Sequence, residues 1–210
     1  MIPYVVVPGT HARHDRWHQP GSPWSDVMRA MGFAPAASPA FVWSTDVNGW
    51  QFWRRWVGST SDHSDWDAAG ANLYQYIVPP LAPDRRLPPA RTHLIAHSHA
   101  LQVVLYACAK YGLEVNTLTT IGSPIRKDVP GRTGIRFWQH VHSDGTDRMQ
   151  WFGTVGDGSL GIVRPHPDAD LNIEVKEAGH SGVLRDPYYI EAVWPGLCDA
   201  IRRAHVEAER

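Results

Sequence analysis

Short apolar runs alternate along the chain with longer segments in which apolar residues recur every three or four positions. The short runs are rich in β-branched and aromatic residues, which favours buried strands, and the longer repeat is typical of amphipathic helices. Strands are predicted at Tyr4–Val7, Phe41–Trp43, Thr92–Ala96, Thr117–Ile121, Phe137–His142 and Leu171–Val175. Helices are predicted at Pro23–Met31, Asp67–Ile77, Leu101–Tyr111 and Tyr189–Glu207, the last of them interrupted by Pro195 and Gly196.

This alternation of strands and helices predicts an α/β fold in which helices cover both faces of a central, mostly parallel sheet of about six strands. Each connection between parallel strands is expected to be right-handed. A chain of 210 residues is comfortable for one domain and short for two, so we expect a single domain covering residues 1–210.

The charge balance and the length of the apolar runs indicate which partners the protein is not expected to have. Lys and Arg number 20 against 21 Asp and Glu, and no basic stripe or zinc-finger spacing is present, so no nucleic-acid partner is expected. No apolar run reaches the roughly 20 residues that span a bilayer. The N-terminal residues lack a signal-peptide pattern, which predicts a cytoplasmic protein. Cys108 and Cys198 form no spacing motif and are expected to be buried structural thiols.

Ser98 lies between the predicted strand Thr92–Ala96 and the predicted helix Leu101–Tyr111, flanked two positions away on each side by Ala96 and Ala100. A very sharp strand-to-helix turn requires small residues there, because larger side chains would collide with neighbouring backbone. Such a turn exposes the serine oxygen above the carboxyl edge of the sheet. It also points the amide of His99 at the place where an oxyanion would form. The alternative is a serine that merely caps the helix.

The segment Ile95–Ala100 resembles the nucleophile elbow of α/β-hydrolases of the lipase and esterase kind, with alanine at both glycine positions of the usual G-x-S-x-G pattern. The resemblance covers the chain from Tyr4 to about Pro187. It implies the α/β-hydrolase fold with Ser98 as the nucleophile, no cofactor, and strands in the spatial order 2-1-3-4-5-6. Ligands would then bind at the switch point between strands 1 and 3.

The same resemblance implies a catalytic histidine and a catalytic acid after Ser98 in the chain. His180 lies in a glycine-bracketed loop directly after the last predicted strand, and imidazole can take and return the serine proton near neutral pH. A surface-loop histidine is the alternative. For the acid, the resemblance favours Asp147, whereas Asp144 is nearer to the end of a strand and Asp157 is a third candidate.

In this family the loop after the first strand supplies a second oxyanion-hole amide, which here would be that of Thr10 or His11. An ordinary Pro-Gly turn is the competing interpretation of that loop. The other histidines, including His14, His18, His140 and His142, lack a metal-ligand spacing, and no metal is expected. His97 is expected to form structural hydrogen bonds.

Trp50, Trp53 and Trp56 recur every three positions. Such a stripe is more often part of a core, yet it can also roof an apolar acyl pocket. The resemblance to lipases and esterases implies a carboxylic-ester hydrolase for so compact a chain, and an acyl pocket of this kind would suit small molecules with an apolar acyl part. An acyltransferase, amidase or thioesterase with the same residues is the first alternative. A catalytically silent binding module of the same fold is the second.

Overall fold

The computed structural model of the protein describes residues 1–9, 16–36, 41–43, 61–78, 88–143 and 165–210. Within them, all strand pairs are parallel and form one six-stranded sheet in the order β2-β1-β3-β4-β5-β6. The strands are β1 (Ile2–Val7), β2 (Phe33–Pro35), β3 (His93–His97), β4 (Val115–Ile121), β5 (Ile135–Ser143) and β6 (Leu171–Val175). The predicted strand order and fold class are confirmed.

The described helices have some ends that local sequence signals mark. They are α1 (Pro23–Ala30), α2 (Ser61–Ile77), α3 (Ala100–Tyr111), α4 (Gly182–Arg185) and α5 (Pro187–Ala208), with a 3₁₀ turn at Pro89–Arg91. Ser22 caps α1 by accepting a hydrogen bond from the Ser25 amide, and Gly112 ends α3 in the left-handed conformation. In the described part of the chain, no helix combines the length and apolar character needed to cross a membrane.

Two apolar cores hold these helices on opposite faces of the sheet. On one face, α2 and α3 pack together over side chains such as Leu94, Leu118 and Trp138. On the other face, α1 and α5 cover Ile95, Ile121 and Val141. The helices on both faces leave the carboxyl edge of the sheet as the place where loops meet.

The second strand lies at Phe33–Pro35, so its prediction at Phe41–Trp43 is wrong. The apolar character of residues 41–43 has another cause, because Phe41 is buried in the core and its ring lies 5.5 Å from that of Tyr76. The indole N–H of Trp43 donates to the carbonyl of Pro8 at 2.5 Å. Tertiary packing therefore explains an apolar run that the sequence pattern assigned to a strand.

The C-terminal helix is continuous through Pro195, so the predicted interruption is wrong. A proline inside a helix lacks the N–H that would reach the carbonyl four residues earlier, at a cost of about 3 kcal/mol. Buried side chains on both sides of the proline, Trp194 and Leu197 among them, hold the helix on the sheet. The predicted burial of Cys108 and Cys198 is confirmed, and burial raises the pKa of both thiols to about 12.

Candidate active site

The carboxyl ends of β1, β3 and β4 meet at one level of the sheet. Val7 pairs with Ala96 and His97 pairs with Ile121, so the residues that follow these strands are neighbours. The Ser98 amide extends the ladder by donating to the Ile121 carbonyl at 2.9 Å. Ser98 thus lies at the switch point between β1 and β3, where open α/β sheets bind their ligands.

Ser98 occupies the left-handed backbone region, with φ of 56°. This conformation costs a non-glycine residue about 1–2 kcal/mol, and such strain collects at functional sites. The residue is half-buried, and the chain passes through His99 directly into the first turn of α3. The backbone therefore makes the sharp strand-to-helix turn that the small residues around Ser98 predict.

Gly9, two residues after β1, lies against this turn. A Cβ atom on Gly9 would be 3.0 Å from the Ser98 Cβ and 3.1 Å from the carbonyl oxygen of His97. Nine in ten real Cβ contacts are longer, so a side chain at position 9 would force its neighbours to shift by a few tenths of an ångström. The loop after β1 and the turn after β3 are therefore in direct contact at the switch point.

His180 reaches the same edge on the loop that follows β6. Glu177 and Gly179 both adopt positive φ, 59° in each case, which turns the chain sharply after the strand. The Gly182 amide then closes the turn by donating to the Ala178 carbonyl at 3.0 Å. We call Ala178–Gly182 the His180 loop; its last residue begins α4, whose Val183 is buried.

The imidazole of His97 joins the His180 loop to the Ser98 turn. Its Nε2 atom lies 3.2 Å from the backbone carbonyl oxygen of His180 and 3.4 Å from Oγ of Ser181. The ring centroids of His97 and His180 are 4.8 Å apart, and their planes are inclined by 49°. His180 is thereby placed beside the residue that immediately precedes Ser98.

His97 is neutral at physiological pH. Burial lowers its pKa to about 3, and the neighbouring His180, Arg185 and His99 act in the same direction. Its hydrogen bond to the His180 backbone opposes the change but does not reverse it. The side chain that immediately precedes Ser98 in the chain therefore contributes a dipole and no net charge.

Aromatic stacking fixes the residue on the other side of the serine. The ring of His99 stacks on that of Trp66 with centroids 5.8 Å apart and planes at 17°. The guanidinium carbon of Arg126 lies 5.0 Å from the centroid of the Trp66 ring, and Arg126 pairs with Asp128 at 2.5 Å. Trp66 thus links the start of α3 to the loop after β4.

Several predicted site residues lie outside the described residues. They are the oxyanion candidates Thr10 and His11, the pocket candidates Trp50, Trp53 and Trp56, and the acid candidates Asp144, Asp147 and Asp157. Of the predicted site, the structure describes Ser98, His99 and His180, and it brings the elements that carry them to one edge of the sheet.

Sequence reasoning missed three contributors. Trp66 was assigned no role, although it stacks on His99. Ser181 and Gly9 are likewise given no role by the sequence pattern, although Ser181 contacts His97 and Gly9 contacts Ser98. A glycine immediately after a predicted strand was the available signal for the last of these.

The overall fold is similar to that of a dienelactone hydrolase-like promiscuous phosphotriesterase from metagenomic libraries. The two structures superpose with a TM-score of 0.60, covering 97% of this chain and 87% of that chain. Their sequences are 13% identical, a level at which the likeness concerns the fold alone. No protein-family model and no curated protein matches the sequence.

Proposed function

We propose that this chain, which has the α/β-hydrolase fold, is a serine hydrolase whose nucleophile is Ser98. The observation that carries the proposal is the left-handed conformation of Ser98 between β3 and α3, in contact with Gly9. A helix-capping serine needs no such strain, because an N-cap residue has extended backbone angles. A strained serine over the carboxyl edge of a parallel sheet is the arrangement that presents a nucleophile to a substrate.

Catalysis would proceed by two acyl-transfer steps. Ser98 Oγ attacks an ester carbonyl while His180 accepts the hydroxyl proton, and the same proton then passes to the departing alcohol. Water attacks the resulting acyl-enzyme and gives a proton to His180. His180 then returns this proton to Ser98 Oγ as the bond between the acyl carbon and Oγ breaks, which releases the carboxylic acid and regenerates the free enzyme. Asp147, with Asp144 as the alternative, would orient the His180 ring and stabilise its cationic form.

The oxyanion of each tetrahedral intermediate needs backbone donors in place before the reaction. The His99 amide at the start of α3 is one proposed donor, favoured by the partial positive charge of a helix N-terminus. The amide of Thr10 or His11 is the other. The contact between Gly9 and Ser98 supports this choice, because it brings the chain up to residue 9 against the nucleophile.

A carboxylic ester with an apolar acyl part is the proposed substrate class. Trp50, Trp53 and Trp56 are proposed to line the acyl pocket, since large aromatic side chains supply apolar area at low entropic cost. The similar solved structure is described as a phosphotriesterase. A phosphate triester therefore belongs in the substrate panel beside carboxylic esters.

The test is a panel of 4-nitrophenyl esters of increasing acyl length, together with an anilide, a thioester and a phosphate triester. We expect ester turnover by the wild type and a loss of about 10⁴-fold or more in Ser98→Ala and in His180→Gln. Ser64→Ala, which removes an exposed hydroxyl from α2, is the matched control and should retain full activity. Faster turnover of the anilide or thioester would redirect the proposal to an amidase or thioesterase.

Added alcohol or amine acceptors separate hydrolysis from acyl transfer. Free carboxylic acid should remain the main product in their presence, because the proposal has water resolving the acyl-enzyme. Predominant capture by the acceptor would indicate an acyltransferase. No turnover of any substrate by a folded wild type would contradict the enzyme proposal and favour a binding module.

A further inference from the structure

We infer that His97 is a positioning residue that fixes the His180 loop against the Ser98 turn, so that the alignment of His180 with Ser98 depends on its imidazole. The catalytic consequence rests on the proposed function. The contact between His97 and the loop does not, and it is tested separately below.

The carbonyl oxygen of His180, which is 83 residues from His97 in sequence, lies 3.2 Å from Nε2 of His97. A carbonyl oxygen only accepts hydrogen bonds, so Nε2 must carry the proton. Oγ of Ser181 lies 3.4 Å from the same nitrogen, which places two successive residues of the loop around one N–H group. This N–H group therefore donates a hydrogen bond to the backbone of His180, the proposed general base.

The other ring nitrogen faces the loop after β1. In the neutral ring, a proton on Nε2 leaves Nδ1 as an acceptor. Nδ1 is buried and has no hydrogen-bond partner among the described residues, and a Cβ on Gly9 would lie 3.2 Å from it. One imidazole thus touches the loop after β1, belongs to the Ser98 turn, and donates to the His180 loop.

Packing holds the ring in this orientation. His97 is 5% exposed, and the ring of Trp17 meets it edge-on with centroids 6.3 Å apart. The low pKa of the buried ring, about 3, keeps one proton on it throughout the pH range in which a histidine base operates. The hydrogen bond to His180 is therefore independent of pH in that range.

Two amide variants of His97 distinguish a positioning role from simple burial. In His97→Gln the side-chain amide nitrogen reaches roughly the place of Nε2, whereas in His97→Asn it reaches only that of Nδ1. Both variants remove the imidazole and keep an amide donor, so they form a matched pair. Gln should restore the hydrogen bond to His180, and Asn should not.

The first readout is the rate of covalent reaction with a fluorophosphonate, followed by intact mass. We expect His97→Asn to react about 100-fold more slowly than the wild type, the penalty of a misplacement near 1 Å, while still forming one adduct. His97→Gln should react within about tenfold of the wild-type rate. In His97→Asn the maximal rate constant for covalent reaction should fall, whereas the probe concentration that gives half of this rate should not change. Equal rates in Asn and Gln would overturn the inference.

The second readout needs no activity and is amide hydrogen exchange across Ala178–Gly182. Exchange there should be faster in His97→Asn than in the wild type and close to wild type in His97→Gln. Unchanged exchange in both variants would overturn the inference even if the enzyme proposal stands. If the wild type fails to react with the probe, the proposed function fails, and this exchange measurement still decides the contact.

A third measurement uses the unmodified protein, in case His97→Asn does not fold. The ¹⁵N chemical shifts of the histidine rings report which nitrogen carries the proton. His97 should be neutral and protonated on Nε2 between about pH 5 and 8. A proton on Nδ1 would leave no donor for the His180 carbonyl and would overturn the inference.

Discussion

Gly9 and Ser98 approach so closely that a Cβ atom added to Gly9 would lie 3.0 Å from the Ser98 Cβ. The contact joins the loop after β1 to the turn after β3 at the switch point of the sheet. The other nearby atoms are the backbone oxygen of His97 at 3.1 Å and its Nδ1 at 3.2 Å, so a Cβ at position 9 would displace part of the Ser98 turn. The relationship strongly favours glycine at position 9.

Gly9→Ala is therefore expected to lower both stability and activity. Overpacking of this kind costs about 1–3 kcal/mol in the free energy of unfolding, and displacement of the Ser98 turn should slow ester turnover at least tenfold. Urea unfolding and steady-state kinetics measure the two effects. Gly196→Ala is the control, since nothing lies within 4 Å of a Cβ there and helix α5 should gain stability. Wild-type activity in Gly9→Ala would contradict the close contact.

The strained backbone at Ser98 predicts that a glycine variant is more stable there than an alanine variant, the reverse of the order in a helix. Ser98→Gly should be more stable than Ser98→Ala by about 1 kcal/mol, because only glycine adopts φ of 56° without penalty. At Ser64 in helix α2 the order should be normal, with Ala more stable than Gly by about 1 kcal/mol. Thermal unfolding of the four variants compares them. If alanine were more stable than glycine at position 98 as well as at position 64, the left-handed conformation of Ser98 would be contradicted.

The buried His93 predicts a loss of stability in acid. Burial, with a contribution from the adjacent His205, lowers the pKa of His93 from 6.5 to about 4. Below pH 6.5, His93 binds a proton in the unfolded chain but not in the folded protein. Its contribution to the free energy of unfolding is therefore complete above pH 6.5 and falls by about 2–3 kcal/mol as the pH approaches 4. Urea unfolding at pH 7.5 and 4.5 should show this dependence, and His93→Gln should reduce it. If the free energy of unfolding of His93→Gln fell as much between pH 7.5 and 4.5 as that of the wild type, the acid sensitivity would belong to other groups.

Local signals in the sequence were sufficient for most of the fold. The strand Leu171–Val175 was predicted with its observed bounds, and the helix ending at Gly112 was recognised from its glycine cap. The alternation of these strands and helices predicts the parallel sheet, and the pattern around Ser98 indicates the α/β-hydrolase fold. Each of these inferences uses residues adjacent in the chain, whose mutual geometry depends little on the rest of the protein.

The errors and omissions arise where distant residues decide the outcome. The three-residue strand Phe33–Pro35 is too short to show an alternating pattern, and the apolar run at Phe41–Trp43 is explained by its contacts with Tyr76 and Pro8. The bond from His97 to the His180 loop joins residues 83 positions apart. No spacing rule along the chain predicts such a contact, because it depends on how the loops after β3 and β6 converge.

The most direct test of the account is intact mass after reaction with a fluorophosphonate, on the wild type, Ser98→Ala and the control Ser64→Ala. We expect a single adduct on the wild type and on Ser64→Ala, and none on Ser98→Ala, because only an activated serine attacks the probe. Absence of an adduct on the folded wild type, or an adduct that persists in Ser98→Ala, would contradict Ser98 as the nucleophile.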